Sequence, residues 1–132
     1  MKRTYFCPHC EGNLNPNVKI VLRAAVGGQT GLFLFSPQPG NYDVIIPEGF
    51  RLKKKDIVAF SCPICNADLT SPRDKDLASI RFASTFGAEG TVAFAREYGR
   101  HATYFITRES VRAYGEHASA EKINFWGVGP RR

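Results

Sequence analysis

The sequence predicts a mainly β chain, and three observations carry that prediction. The apolar runs have strand length and are rich in β-branched and aromatic residues. Short turns marked by Gly, Pro and Asn separate them. Two copies of one short cysteine-bearing stretch bracket the first group of runs. The expected architecture is a four-cysteine unit with inserted antiparallel strands over residues 1–72. A small antiparallel β-meander and a C-terminal tail follow over residues 73–132, with room for the two parts to pack as one body.

Taken in order, Asn15-Pro16-Asn17 is a turn signal that ends the first cysteine stretch. Val18 to Ala25 reads as a strand with Val18, Ile20 and Leu22 on one face and Lys19 and Arg23 on the other. Gly27-Gly28-Gln29-Thr30-Gly31 reads as a flexible hairpin loop. It lacks the Lys-Ser/Thr of a phosphate loop and leads into a strand rather than a helix. Leu32 to Ser36 is almost wholly apolar and reads as a strand buried on both faces. Tyr42–Ile46 and Lys55–Ser61 are the third and fourth strands, the latter running straight into the second cysteine stretch. After the polar linker Thr70–Asp76, strands are expected over Leu77–Thr85, Thr91–Glu97, His101–Thr107 and Val111–Tyr114. A short helix is expected near Ser119–Asn124, and Phe125–Arg132 shows no regular pattern. Phe33, Phe35, Phe82 and Phe94 have strand spacing and are expected in the core. Beyond the cysteine stretches no longer internal period is visible.

At 132 residues, 43% hydrophobic and 23% charged, the chain is globular material for one domain or two very small ones. No segment approaches the roughly 18 apolar residues of a membrane span. The start, Met1 to Cys7, carries no apolar signal core, so the expected location is cytoplasmic. In a reducing compartment, four paired cysteines point to a metal site rather than to two disulfides.

The two stretches are Cys7-Pro8-His9-Cys10-Glu11-Gly12-Asn13-Leu14 and Cys62-Pro63-Ile64-Cys65-Asn66-Ala67-Asp68-Leu69, and they hold every cysteine in the chain. Two residues between cysteines let both sulfurs of a tight turn reach one ion. The proline sets φ at the start of the turn, and later N–H groups can face the thiolates. Two such hooks supply Cys7, Cys10, Cys62 and Cys65 as a tetrahedral thiolate shell for one ion, zinc or iron. A filled shell leaves no open position, which favours a structural role over catalysis. The competing readings are redox dithiols, two separate sites, and a switch in which oxidation ejects the metal.

On these residues the chain resembles the zinc-ribbon class. The resemblance implies one Zn2+ per chain held by two knuckles that face each other over a β-hairpin framework. Glu11 and Asn66 stand where many ribbons carry glycine, and the gap from Cys10 to Cys62 exceeds the usual spacing of roughly 15–20 residues. The expectation is therefore an elaborated four-cysteine zinc ribbon with an inserted small sheet.

The net charge of the whole chain is +6, which permits a nucleic-acid or acidic-protein partner. Arg51 with Lys53, Lys54 and Lys55 is the tightest basic group. It reads either as a phosphate contact or as a solvated edge that blocks strand pairing. Tyr5 and Phe6, beside Lys2-Arg3, read either as base-stacking residues or as packing for the first hook. His9 reads as an exposed bystander among four cysteines, and His101 and His117 stand at no telling offset from a carboxylate or nucleophile. Trp126 reads as a partner anchor or as a residue folded back on the body. The functional expectation is a non-enzymatic structural-zinc module that docks on a partner, first RNA, DNA or a ribonucleoprotein. A protein-interaction adaptor is the alternative, and a thiol redox sensor or small enzyme comes third.

Overall fold

A computed structural model describes residues 3–85 and 87–116. The expected helix near 119–124, His117 and Trp126 lie outside the described residues. Nine strands make up the described chain. They are β1 (Arg3–Phe6), β2 (Ile20–Val26), β3 (Gln29–Phe35), β4 (Val44–Ile45), β5 (Ala59–Ser61), β6 (Leu77–Ser84), β7 (Glu89–Ala95), β8 (Thr103–Ile106) and β9 (Val111–Tyr114). They form two sheets, ordered β1-β6-β7-β8-β9 and β4-β3-β2-β5, and every pairing is antiparallel. The mainly β expectation is met. Among the described residues no helix is long and apolar enough to cross a membrane.

Strand alternation places the core. In β2, Ile20, Leu22 and Ala24 are buried while Arg23 is exposed. In β6, Ala78, Ile80 and Phe82 are buried while Arg81 is exposed. One core cluster draws these residues from both sheets, together with Phe33, Phe60, Val92 and Phe105. Its aromatic rings meet edge to face, with Phe60–Phe94 at 5.4 Å and Phe82–Phe105 at 5.1 Å between centroids. Phe33, Phe35, Phe82 and Phe94 all belong to this packing, as their spacing predicts.

Several local readings need correcting, and Val18 is one: it sits in the turn before β2 at φ 86° and is largely exposed, not on the buried face with Ile20 and Leu22. Leu32 to Ser36 is not buried on both faces, because Leu32 is 49% exposed and lies opposite Arg23 on the outer side of its sheet. The glycine-rich loop is shorter than it reads. Val26 pairs with Gln29, so only Gly27 and Gly28 turn, both at positive φ, and Gln29 to Gly31 belong to β3. Finally, Arg3–Phe6 is itself a strand. It pairs with the distant β6, setting Tyr5 opposite Phe82, and Tyr5 is buried in the core.

These pairings disclose a repeat longer than the hooks. The chain runs β1, hook, β2, β3, β4, then β5, hook, β6, β7, β8. The sheets read β1-β6-β7-β8 and β5-β2-β3-β4, so each half gives its first strand to the other half's sheet. Each hook therefore crosses from one sheet to the other. Leu14 donates its N–H to Tyr5 of β1 and accepts from Val21 of β2. Leu69 donates to Phe60 of β5 and accepts from Ser79 of β6. Both leucines are fully buried beneath the hooks. At a second tie between the sheets, the segment before β5 meets the segment after β7. Val58 N–H donates to the Arg96 carbonyl, and the Arg96 Nε–H donates back to the Val58 carbonyl at 2.9 Å.

Candidate metal centre and neighbouring surfaces

Each hook is a tight turn closed by its own backbone. Glu11 N–H donates to the Cys7 carbonyl and Asn66 N–H to the Cys62 carbonyl, both at 2.9 Å. Cys7 N–H donates to the Gly12 carbonyl and Cys62 N–H to that of Ala67. To close this way the residue after the second cysteine enters the left-handed region, with φ 62° at Glu11 and 66° at Asn66. That is the physical reason ribbons favour glycine there. Asn adopts this conformation more readily than Glu does. We expect Glu11→Gly to raise the melting temperature of the metal-loaded protein, by about 0.5–1 kcal/mol of stability, and Asn66→Gly to raise it less. Thermal denaturation of the two variants side by side checks the ranking.

The polar position shared by the hooks also has a defined job. Asn13 Oδ1 accepts the Asn15 N–H at 2.8 Å, and Asp68 Oδ1 accepts the Thr70 N–H at 2.9 Å. Each turns the chain out of its hook toward the next strand. At Asp68 the backbone N–H of Thr70, and then its hydroxyl, hold the carboxyl below its usual range.

The four sulfurs converge. Cys7 and Cys65 are 3.8 Å apart, as are Cys10 and Cys62, and all four Sγ atoms lie within 4.8 Å of one another. A disulfide needs about 2.05 Å, so these are four free thiols. A tetrahedral ion with bonds of about 2.3 Å sets sulfurs roughly 3.8 Å apart, which matches the two short edges. Cys7 and Cys62 are fully buried, whereas Cys10 and Cys65 are exposed at the hook tips. Backbone donors face the sulfurs. His9 and Cys10 N–H point at Cys7 at 3.2 and 3.4 Å, Ile64 and Cys65 N–H at Cys62 at 3.3 and 3.4 Å, and Gly12 N–H at Cys10 at 3.4 Å. Such donors stabilise thiolate charge.

Protonation of the bare cluster is uneven. Burial pushes the Cys62 thiol up to about 12 against its N–H donors. Burial also acts to raise Cys7, but the N–H groups of Cys10 and His9 and the neighbouring thiols outweigh it and leave Cys7 low. At Cys10 the Gly12 N–H favours the thiolate, yet burial and the neighbouring sulfurs leave that group raised. Four thiolates this close repel one another unless a cation stands between them, so a divalent ion would displace the remaining protons. The donor set, spacing and backbone donors fit a four-thiolate metal ion. His9 is exposed and contributes only its backbone N–H, as its place among four cysteines suggests.

The basic residues are placed by two separate ties. Arg51 is held at the β2–β3 turn, where its backbone N–H and carbonyl bond the Gln29 side chain at 2.8 and 2.9 Å. Lys53 to Asp56 form a turn of their own, with Lys53 N–H donating to Asp56 Oδ2 and Lys55 at φ 75°. That turn lies against the turn from Tyr98 to Arg100. Lys55 N–H donates to the Tyr98 carbonyl, Tyr98 N–H to the Asp56 carbonyl, and Lys54 Cγ packs beside Gly99. The Tyr98–Arg100 turn thus lies beside the three lysines, a neighbour that reading the run alone cannot supply. Among the aromatics beside the first hook, Tyr5 packs inward and Phe6 lies under the Arg81 guanidinium at 5.8 Å. His101 stacks on Tyr42 with ring centroids 4.4 Å apart. No family model, curated protein or solved structure matches the chain.

Proposed function

We propose that the chain is a non-enzymatic structural-zinc module that presents a basic surface to nucleic acid, RNA before DNA, alone or within a ribonucleoprotein. The observation that carries this reading is the juxtaposition of Lys53, Lys54 and Lys55 with the Tyr98–Arg100 turn. Two turns from different halves of the chain bring three exposed lysines beside an exposed tyrosine, with the half-buried Arg100 two residues further on. Phosphates are bound by such clustered cations, and an exposed ring adds a stacking face. The closed four-cysteine set supports a fastening role for the metal, because it leaves no coordination site for a substrate. Zinc is preferred to iron as an ion that fixes geometry without redox chemistry. On this reading the metal holds the sheets and the sheets hold the two turns in register.

The test is RNA binding as a function of salt. Affinity for a single-stranded oligonucleotide should fall steeply with ionic strength. Replacing Lys53, Lys54 and Lys55 by alanine should weaken it at least tenfold. It should also flatten the slope of log K against log salt by about 0.7 for each phosphate that is no longer neutralised. Binding that ignores salt and survives the triple substitution would reject the nucleic-acid reading.

A protein-interaction adaptor is the second reading, favoured by a different surface. On the outer face of the β4-β3-β2-β5 sheet, Leu34 lies opposite both Val21 and Ile45, with Leu32 beside them. Leu32 and Ile45 are about half exposed. Apolar neighbours of this kind on an open face mark contact surfaces. Loss of a protein partner on Leu32→Lys, with RNA affinity unchanged, would favour the adaptor.

A further inference from the structure

The two 3.8 Å sulfur contacts run between the hooks. The exposed Cys10 faces the buried Cys62, and the exposed Cys65 faces the buried Cys7. Each contact therefore joins a residue that solvent reaches to one that it does not. Closing either pair to a disulfide brings the sulfurs together by less than about 2 Å, to the bond length of about 2.05 Å. The turns around them are held by backbone bonds that no sulfur takes part in, Glu11 N–H to the Cys7 carbonyl and Asn66 N–H to the Cys62 carbonyl. A change at the sulfurs thus leaves each hook its own shape.

We infer that the four cysteines form a redox-sensitive clasp. A hydroperoxide converts it from a metal shell into two disulfides, Cys10–Cys62 and Cys7–Cys65, which release the ion and keep the hooks joined. This regulation rests on the four-thiolate zinc reading of the site. With hydrogen peroxide as the oxidant, the Cys10 sulfur attacks one peroxide oxygen. The O–O bond breaks, water leaves, and Cys10 becomes a sulfenic acid. The Cys62 sulfur then attacks Cys10 Sγ; the S–S bond forms, the S–O bond breaks, and a second water leaves. Two thiols are oxidised and one peroxide is reduced to two waters, with protons drawn from solvent where the sulfurs begin as thiolates. A second peroxide joins Cys65 to Cys7 in the same way. Each closure takes two donors from the shell.

One neighbour shields the exposed end. Ile64 of the second hook leans over Gly12 of the first, so closely that a Cβ on Gly12 would overlap Ile64 Cδ1, and Cys10 Sγ borders the same spot. Ile64 supplies no ligand atom, so its removal opens the approach to Cys10 and leaves all four sulfurs in place.

The test treats the full-length, zinc-loaded chain with hydrogen peroxide. Released zinc is followed with a coloured indicator, disulfides by peptide mapping without reduction, and the core by near-UV circular dichroism. Oxidation should release the zinc, yield Cys10–Cys62 and Cys7–Cys65 peptides, and preserve the near-UV signal. Dithiothreitol with added zinc should restore the starting state. A chelator applied to the reduced protein should instead abolish the signal, so the two routes of zinc loss part. Ile64→Ala should release zinc about threefold faster. Disulfides within the hooks, Cys7–Cys10 and Cys62–Cys65, would overturn the clasp, as would loss of the near-UV signal on oxidation or sulfinic acids in place of disulfides. An unchanged rate in Ile64→Ala would overturn the shielding. Less than half an ion per chain before peroxide is added would remove the metal reading itself, whereas a full complement with the wrong pairing would remove the clasp alone.

Discussion

Cys62→Ser is expected to abolish the cooperative unfolding transition of the whole chain, including the strands that follow the second hook. Four-thiolate zinc contributes on the order of 10 kcal/mol to the folding of small domains, which is comparable to the roughly 5–15 kcal/mol net stability of a domain this size. The substitution removes a fully buried thiol of the candidate metal site. It also loosens a hook that hands the chain from β5 in one sheet to β6 in the other. Near-UV circular dichroism and amide NMR dispersion should collapse together for residues of both sheets, and chelation of the wild-type protein should have the same effect. Elemental analysis should give one ion per wild-type chain. Less than half an ion, or a metal-free protein with an intact core, would rule out the metal as the fastener.

Gly90→Ala is the second large effect. Gly90 sits in β7 opposite Phe82, and a Cβ there would overlap the carbonyl of Ile106 in β8. That neighbour is backbone inside a ladder and cannot swing aside as a side-chain tip would. The two strands must separate locally, at an expected cost of about 3 kcal/mol and on the order of 10 °C in melting temperature. Gly28→Ala is the informative contrast. Gly28 has φ +86° but open space around it, so its penalty is the left-handed backbone alone, about 1–2 kcal/mol. Denaturant titration of the two variants separates steric overlap from backbone strain. Equal losses would show that the close approach of β7 and β8 is not tight.

The parts of this molecule that were legible in the sequence are those whose causes are local. Two residues between cysteines, a proline, and an Asn or Asp two residues before the next turn fix each hook without help from elsewhere. The long runs β2 and β6 announce themselves by alternation, with Arg23 and Arg81 facing out between buried neighbours. What the sequence does not display is which strand lies beside which. Tyr5 and Phe82 are far apart in the chain, and β1 is too short and too charged at its start to read as a strand. The repeat is hidden for two physical reasons. The connection from hook to strand is longer the second time, Thr70 to Asp76 against Asn15 to Lys19. The two inner faces also fill the same core with different side chains, Ala24 in one sheet and Phe82 in the other. The lysine run was legible because it is contiguous, but the Tyr98–Arg100 turn beside it comes from the other half of the chain.

The exchange of first strands sets a timetable for synthesis. When the first hook leaves the ribosome it has two thiols and β1 has no partner, since both complements lie beyond Ser61. At about 5–20 residues per second, Phe82 follows Tyr5 only after roughly 4–15 s. During that interval the nascent chain offers an unpaired strand and a half-made thiolate site to whatever is nearby. Capture of the ion and closure of both sheets then become one late event, set by delivery of the second hook rather than by collapse of the first half.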